Sequence, residues 1–135
     1  MTLPLWCSDY VGIPYEHYGR SKTGVDCWGL AKLVLMEQFS LDVPNYDVYY
    51  HADCDVKQIG ADVTDVAGNW QSIPAGDEQP GDVALLRCLG QPIHVGVVVA
   101  SEWMIHAELN IDSCLEKYTG PRWNRRVTGF YRFTG

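Results

Sequence analysis

Residues 25–35 read VDCWGLAKLVL, and on this stretch the reading of the whole chain turns. An Asp-Cys pair stands directly before a nearly continuous apolar run. Asp26 is a favoured N-cap residue, so the spacing predicts a helix from Cys27 to about Phe39, with Pro44 beyond its end. Lys32, Glu37 and Gln38 are its only charged or amide side chains, which predicts a central helix rather than a surface one. Cys27 falls on the first turn, where unpaired N–H groups and the positive end of the helix dipole favour a thiolate. That is the setting of a nucleophile, although free cysteines more often serve as small buried hydrophobes.

Upstream, residues 10–24 (YVGIPYEHYGRSKTG) carry Gly12, Pro14, Gly19 and Gly24 and read as a short helix or turn, then a loop feeding the Cys27 helix. Loops in that position often line sites, which makes Tyr15, His17 and Tyr18 candidates for a cleft. Downstream, residues 45–55 show no clean period. Val56, Ile59, Val63, Val66, Ala67 and Trp70 then recur at three and four residues, predicting an amphipathic helix started by Asp53 or Asp55 and ended near Gly68. SIPAGDEQPGD (72–82) reads as a loop closing on a Pro80-Gly81 turn.

With 135 residues, 47% of them hydrophobic, the chain has material for one core, and a single domain over 1–135 is expected. It has no transmembrane run and no secretory signal in MTLPLWCSDYVG, so synthesis in the cytoplasm, no membrane insertion and delivery by another route are expected. Cys7, Cys27, Cys54, Cys88 and Cys114 are odd in number and include no C-x-x-C, which fits neither a disulfide framework nor a zinc site; no H-E-x-x-H or calcium loop appears either. No metal and no cofactor are therefore expected. A net charge of -7 argues against nucleic acid as a partner, the local exception being Arg122, Arg125, Arg126 and Arg132.

The second half reads as strands. DVALLRC (82–88) is the first clear one, followed by IHVGVVVA (93–100), WMIHA (103–107) and, after a polar stretch containing Gly120-Pro121, VTGFYRF (127–133). In the last, Val127, Gly129, Tyr131 and Phe133 alternate against Thr128, Phe130 and Arg132. The middle two form an antiparallel hairpin that holds His94 and His106. With a three-residue loop Val99 opposes Trp103 and Gly96 opposes His106, leaving the histidines as diagonal neighbours roughly 7–8 Å apart on one face. A two-residue loop sends them to opposite faces.

A helix-borne cysteine followed by strand-borne histidines is the chain order of papain-like enzymes, in which one imidazole takes the thiol proton and another polar group orients it. GIPY at 12–15, G-x-DC-x-GL at 24–30, PGDV at 80–83, HVGVVV at 94–99 and MIHA at 104–107 resemble, in order and spacing, the NlpC-type cysteine peptidases of bacterial cell walls. The resemblance spans roughly residues 10 to 133. It implies an α+β papain-like fold, the nucleophile helix packed on an antiparallel sheet. It further implies Cys27 as nucleophile, His94 as general base and His106 as the orienting residue, with Tyr15 beside the thiol as an oxyanion donor and Asp26 bracing the turn. The implied reaction is hydrolysis of an amide in the peptidoglycan stem peptide, at the bond between D-glutamate and a diamino acid.

Trp28 stands where many members have Ser and, with Arg125, is a candidate for substrate contact; stem carboxylates suit the arginines of PRWNRR (121–126). DCWGL and the RR-x-x-G-x-Y-R ending resemble compact members from tailed phages, implying a virion-tail location and tail-protein partners. Two rivals stand beside this reading. One is a related-fold amidase or acyltransferase with an apolar groove lined by Trp6, Trp28 and Trp103; the other is a tail-tip structural protein whose cleft is vestigial.

Overall fold

A computed structural model describes residues 3–44, 69–88 and 91–135. The helix expected over 56–68 lies outside the described residues. After a 3-10 helix at Leu5–Tyr10, the two-residue strands β1 (Arg20–Ser21) and β2 (Gly24–Val25) form a small antiparallel ribbon. Helix α1 follows at Cys27–Phe39. Its start is set by Asp26, whose carboxylate accepts the Gly29 N–H, and its end by Ser40 in the left-handed region at φ 55. The remaining strands are β3 (Trp70–Ile73), β4 (Val83–Cys88), β5 (Gln91–Ala100), β6 (Trp103–Glu108), β7 (Ile111–Lys117) and β8 (Val127–Phe133). They make one sheet, antiparallel at every pairing, in the order β3-β8-β4-β5-β6-β7.

Strand alternation divides the buried side chains between the two faces. Val83, Leu85, Val95, Val97, Val99, Ile105 and Ala107 meet the α1 residues Leu30, Val34 and Leu35. Ala84, Leu86, Val98 and Met104 turn the other way, beneath Tyr118, Trp123 and Phe130. An apolar α1 is accounted for by its place against the sheet: Trp28, Leu30, Val34 and Leu35 are all fully buried. No helix among the described residues is long and apolar enough to cross a membrane.

Four sequence expectations change here. Trp70, the last residue counted in the helical period, instead opens β3 and pairs with Phe133, its ring meeting those of Trp28 and Phe133. Ser72 and Ile73 belong to that strand, not to a loop. The polar stretch after Ala107 contains β7, an edge strand disguised by its Asp, Glu and Lys side chains. Its outer edge is covered by residues 10–13: Gly12 N–H bonds Ser113 O, Ser113 N–H bonds Ile13 O, and Ser113 Oγ lies 2.5 Å from Tyr10 O. Finally, Val127 packs with Phe130 and not with Tyr131 and Phe133, because a bulge at Thr128 shifts β8 by one residue against β4.

The β5–β6 hairpin combines both loop readings. Ala100 opposes Trp103 across a two-residue turn, with Glu102 left-handed at φ 70, but Val98 opposes Met104 and Val97 opposes Ile105. Val99 is therefore an extra residue on β5, and this bulge restores the parity that puts His94 and His106 on one face.

Candidate active site

Loop 15–24 and the first turn of α1 are locked together. Asp26 is fully buried; besides capping Gly29 at 2.6 Å it takes Arg20 Nη1 at 2.8 Å on Oδ1 and the Tyr18 N–H at 3.0 Å on Oδ2. A Cβ on Gly29 would lie 1.8 Å from Gly19 O, so this close approach of loop to helix requires glycine. Tyr15 bridges to Val25, two residues ahead of Cys27, and its ring meets that of His17 edge-on at 5.5 Å. His17 and Tyr18 are exposed.

The backbone N–H groups of Val95 and Trp28 face the Cys27 sulfur and favour its ionised form. Val98 sends its N–H to Asp82 O, on the β4 side, so by alternation the Val95 N–H points toward β6. The β5–β6 ladder ends at the Val97–Ile105 pair. The head of α1 thus lies against β5 at Val95, the residue that follows His94. Cys27 and His94 each retain 6% exposure, sunken but not sealed.

His94 Nε2 lies 2.8 Å from His106 Nδ1, and His106 Nε2 lies 2.9 Å from Glu116 Oε1. Burial pushes the Glu116 carboxyl up, but hydrogen bonds from Trp123 and His106, with the Arg122 charge, outweigh it and hold the group below its ordinary range. Glu116 is thus a carboxylate that only accepts, which places protons along the chain. His106 donates from Nε2 to Glu116, its bare Nδ1 accepts Nε2–H of His94, and Nδ1 of His94 is left as a lone pair. Burial, reinforced by His106, Arg126 and Arg122, pushes His94 well below the usual imidazole range, so it is neutral at pH 7 and its Nδ1 lone pair is free of a proton. Trp123 holds the pair from outside: its ring stacks on His94 at 5.3 Å and 16°, stands edge-on to His106, and donates Nε1–H to Glu116 at 2.8 Å.

Three sequence expectations are corrected at this site. Burial, then the Asp26 charge, push the Cys27 thiol up to about 12, outweighing the donated N–H groups, so the resting sulfur is a thiol and not the thiolate expected from the helix terminus alone. Trp28 does not face a cleft: it is fully buried against Trp70 and bonds Pro44 O through Nε1. The groove of Trp6, Trp28 and Trp103 does not form, since Trp6 packs on Tyr10 and Phe39 while Trp103 lies under Lys117. Of the arginines, Arg122 is tied to Glu108 and Glu116, Arg126 lies over Trp123, and Arg125 is exposed. Glu116 and Trp123 are participants that the sequence does not single out: PRWNRR stands out by its arginines, and Glu116 becomes visible only through the β6–β7 register.

The model of the NlpC/P60 family matches residues 12–132. The chain belongs to the NlpC/P60 family. Its fold is the α+β, papain-like arrangement of that family. Among its relatives, the Murein DD-endopeptidase MepS/Murein LD-carboxypeptidase of Escherichia coli K12 is 24% identical over 119 residues, covering 88% of this chain and 55% of that protein. A Haemophilus influenzae protein named "Probable endopeptidase" is also 24% identical, covering 87% of this chain and 64% of its own length. The chain thus spans less than two thirds of either relative. The crystal structure of an NlpC/P60 family protein from Bacillus cereus superposes with a TM-score of 0.68 at 18% identity, over 99% of this chain and 42% of that one.

Proposed function

We propose that this NlpC/P60 chain is a cysteine endopeptidase that hydrolyses an amide bond of the peptidoglycan stem peptide, between D-glutamate and a diamino acid. The observation that carries the reading is the His94–His106 hydrogen bond on the strand whose next residue, Val95, turns its N–H to Cys27. Family membership and the murein endopeptidase among the relatives support the substrate class; the choice of bond rests on the sequence resemblance alone.

On this reading the Cys27 thiol proton passes to Nδ1 of His94 as the sulfur attacks the carbonyl carbon. The Cys27 N–H, at the head of α1, meets the developing oxyanion, with the Tyr15 hydroxyl as a second donor. The imidazolium returns its proton to the leaving amine, leaving a thioester on Cys27. Water, relieved of a proton by His94, then attacks that thioester; the carboxylic acid departs and the proton returns from His94 to the Cys27 sulfur. His106 orients His94 throughout, and the exposed Arg125 offers its guanidinium to stem carboxylates.

The test is incubation with purified muropeptides and mass analysis of the products. Release of a dipeptide supports the endopeptidase; detachment of the whole stem from the sugar would make the chain an amidase. Cys27→Ser should abolish hydrolysis while retaining the fold, and full activity in that variant would end the reading. A virion-tail setting is supported by the DCWGL and RR-x-x-G-x-Y-R forms, and detection of the chain in purified virions tests it.

A further inference from the structure

His106 belongs to a second constellation. His106 and Cys114 are cross-strand partners on β6 and β7, and Glu116 lies on the diagonal. Their ligating atoms all fall within 4.8 Å of one another, with Nε2 to Oε1 at 2.9 Å and Nε2 to Sγ at 3.6 Å. Tetrahedral zinc, with bonds of about 2.0–2.3 Å to N, O and S, separates its ligands by roughly 3.3–3.6 Å. The three atoms therefore close on such an ion with small side-chain adjustments. One imidazole, one thiolate and one carboxylate make a borderline-soft set suited to zinc, not to calcium or magnesium. Cys114 is free and half-buried, which leaves its sulfur open to an approaching ion. Arg122 Nη1, 3.1 Å from both Glu116 oxygens, must yield one of them.

We propose that His106, Cys114 and Glu116 form a regulatory site for a zinc-class divalent cation, and that its occupancy silences His94 by reversing the proton order of the histidine pair. The silencing rests on the reading of His94 as the base; the binding does not. A cation on Nε2 of His106 needs the lone pair there, so the proton of that imidazole moves to Nδ1. Nδ1–H then donates to Nε2 of His94, which must be bare, and His94 carries its own proton on Nδ1. Each ring keeps one proton, while the Cys114 thiol loses one to solvent as its sulfur–metal bond forms. His94 now presents an N–H where a base needs a lone pair. The sequence reading found no metal site because H-x7-C-x-E is not a ligand spacing until two strands pair.

Cobalt(II) is the probe, added to the full chain under anaerobic conditions. A thiolate-to-cobalt charge-transfer band should appear in the parent and in Cys27→Ala, vanish in Cys114→Ser, and be displaced by zinc. Zinc should slow muropeptide hydrolysis at least about tenfold in the parent and not in Cys114→Ser, whose metal-free rate should match the parent's. Long-range proton–nitrogen NMR should show the His94 proton moving from Nε2 to Nδ1 as zinc is added. A band that survives in Cys114→Ser, a band lost in Cys27→Ala, or none at about 1 mM cobalt, well above the range of built zinc sites, overturns the site. Binding through Cys114 with neither a tautomer change nor slowed hydrolysis overturns the switch. Binding with the tautomer change, in a chain that cleaves no muropeptide without metal, supports the site and defeats the peptidase reading instead.

Discussion

His106 Nε2 stands 2.9 Å from Glu116 Oε1, and this contact on the far side of the histidine pair decides which nitrogen of His94 is bare. Glu116 acts through two imidazoles and is a positioning residue. Its replacement should cost less than the whole contribution of a general base, about 10²–10⁴-fold. Glu116→Ala should lower kcat about ten- to a hundredfold with little change in KM, and Glu116→Gln, which still offers a carbonyl oxygen, should recover part of it. A KM effect alone would show that Glu116 serves only to hold the surface around Arg122.

His106 is tested by the acceptor it presents to His94. His106→Asn and His106→Gln keep a group able to hydrogen-bond an imidazole and should retain more activity than His106→Ala. Equal loss in all three variants would show that orientation is not the role of this side chain.

The resting state of Cys27 has a signature in alkylation. With its thiol pushed up to about 12 by burial and Asp26, the Cys27 peptide should be labelled by iodoacetamide more slowly than a free thiol at pH 7. The rate should still be rising above pH 10. Labelling faster than a free thiol at pH 5, read by mass spectrometry of that peptide, would reveal a preformed thiolate–imidazolium pair.

Acid should destabilise the fold through the same histidines. Burial lowers both His94 and His106 below the ordinary 6.5 in the folded state. The unfolded chain therefore binds more protons just below pH 6.5, and stability falls as pH falls. The slope is at most about 1.4 kcal/mol per pH unit for each histidine. Stability is full above 6.5 and lost as pH drops through the depressed folded-state values. Denaturant midpoints between pH 8 and 5 should decline, and less so in His106→Gln; a flat profile would mean that the pair titrates normally.

Gly29 should reject a methyl group. Glycine to alanine within a helix ordinarily stabilises by about 1 kcal/mol, but here the new Cβ would sit 1.8 Å from Gly19 O. Gly29→Ala should instead destabilise by about 1–3 kcal/mol as loop 15–24 is pushed off the helix, measured as a lower urea midpoint. A raised midpoint would show that this loop moves freely.

The features legible in VDCWGLAKLVL are those whose causes are local. An N-cap oxygen satisfies N–H groups three residues on, and an apolar run needs cover, so Asp26, the span of α1 and its central place follow from the chain itself. Short apolar, β-prone runs between turn signals likewise marked β4, β5 and β6, period-two alternation marked β8, and the order of Cys27, His94 and His106 pointed to one chemistry. What tertiary structure decided was register and burial. A single bulge at Val99 settled the face of His94, and another at Thr128 turned Val127 over; both depend on pairing with a neighbouring strand. β7 is polar and so carries no periodic signal, yet it delivers Glu116 and Cys114 to His106. The helix terminus on its own favours a thiolate, but the sulfur packs so deeply beside the buried Asp26 that desolvation and that negative charge prevail. Trp28 faced the opposite fate from the one its position suggested, since a large ring on α1 was needed to fill the space against Trp70. Local spacing is written in the chain, whereas solvent exclusion and the partner across a sheet exist only once distant segments have packed.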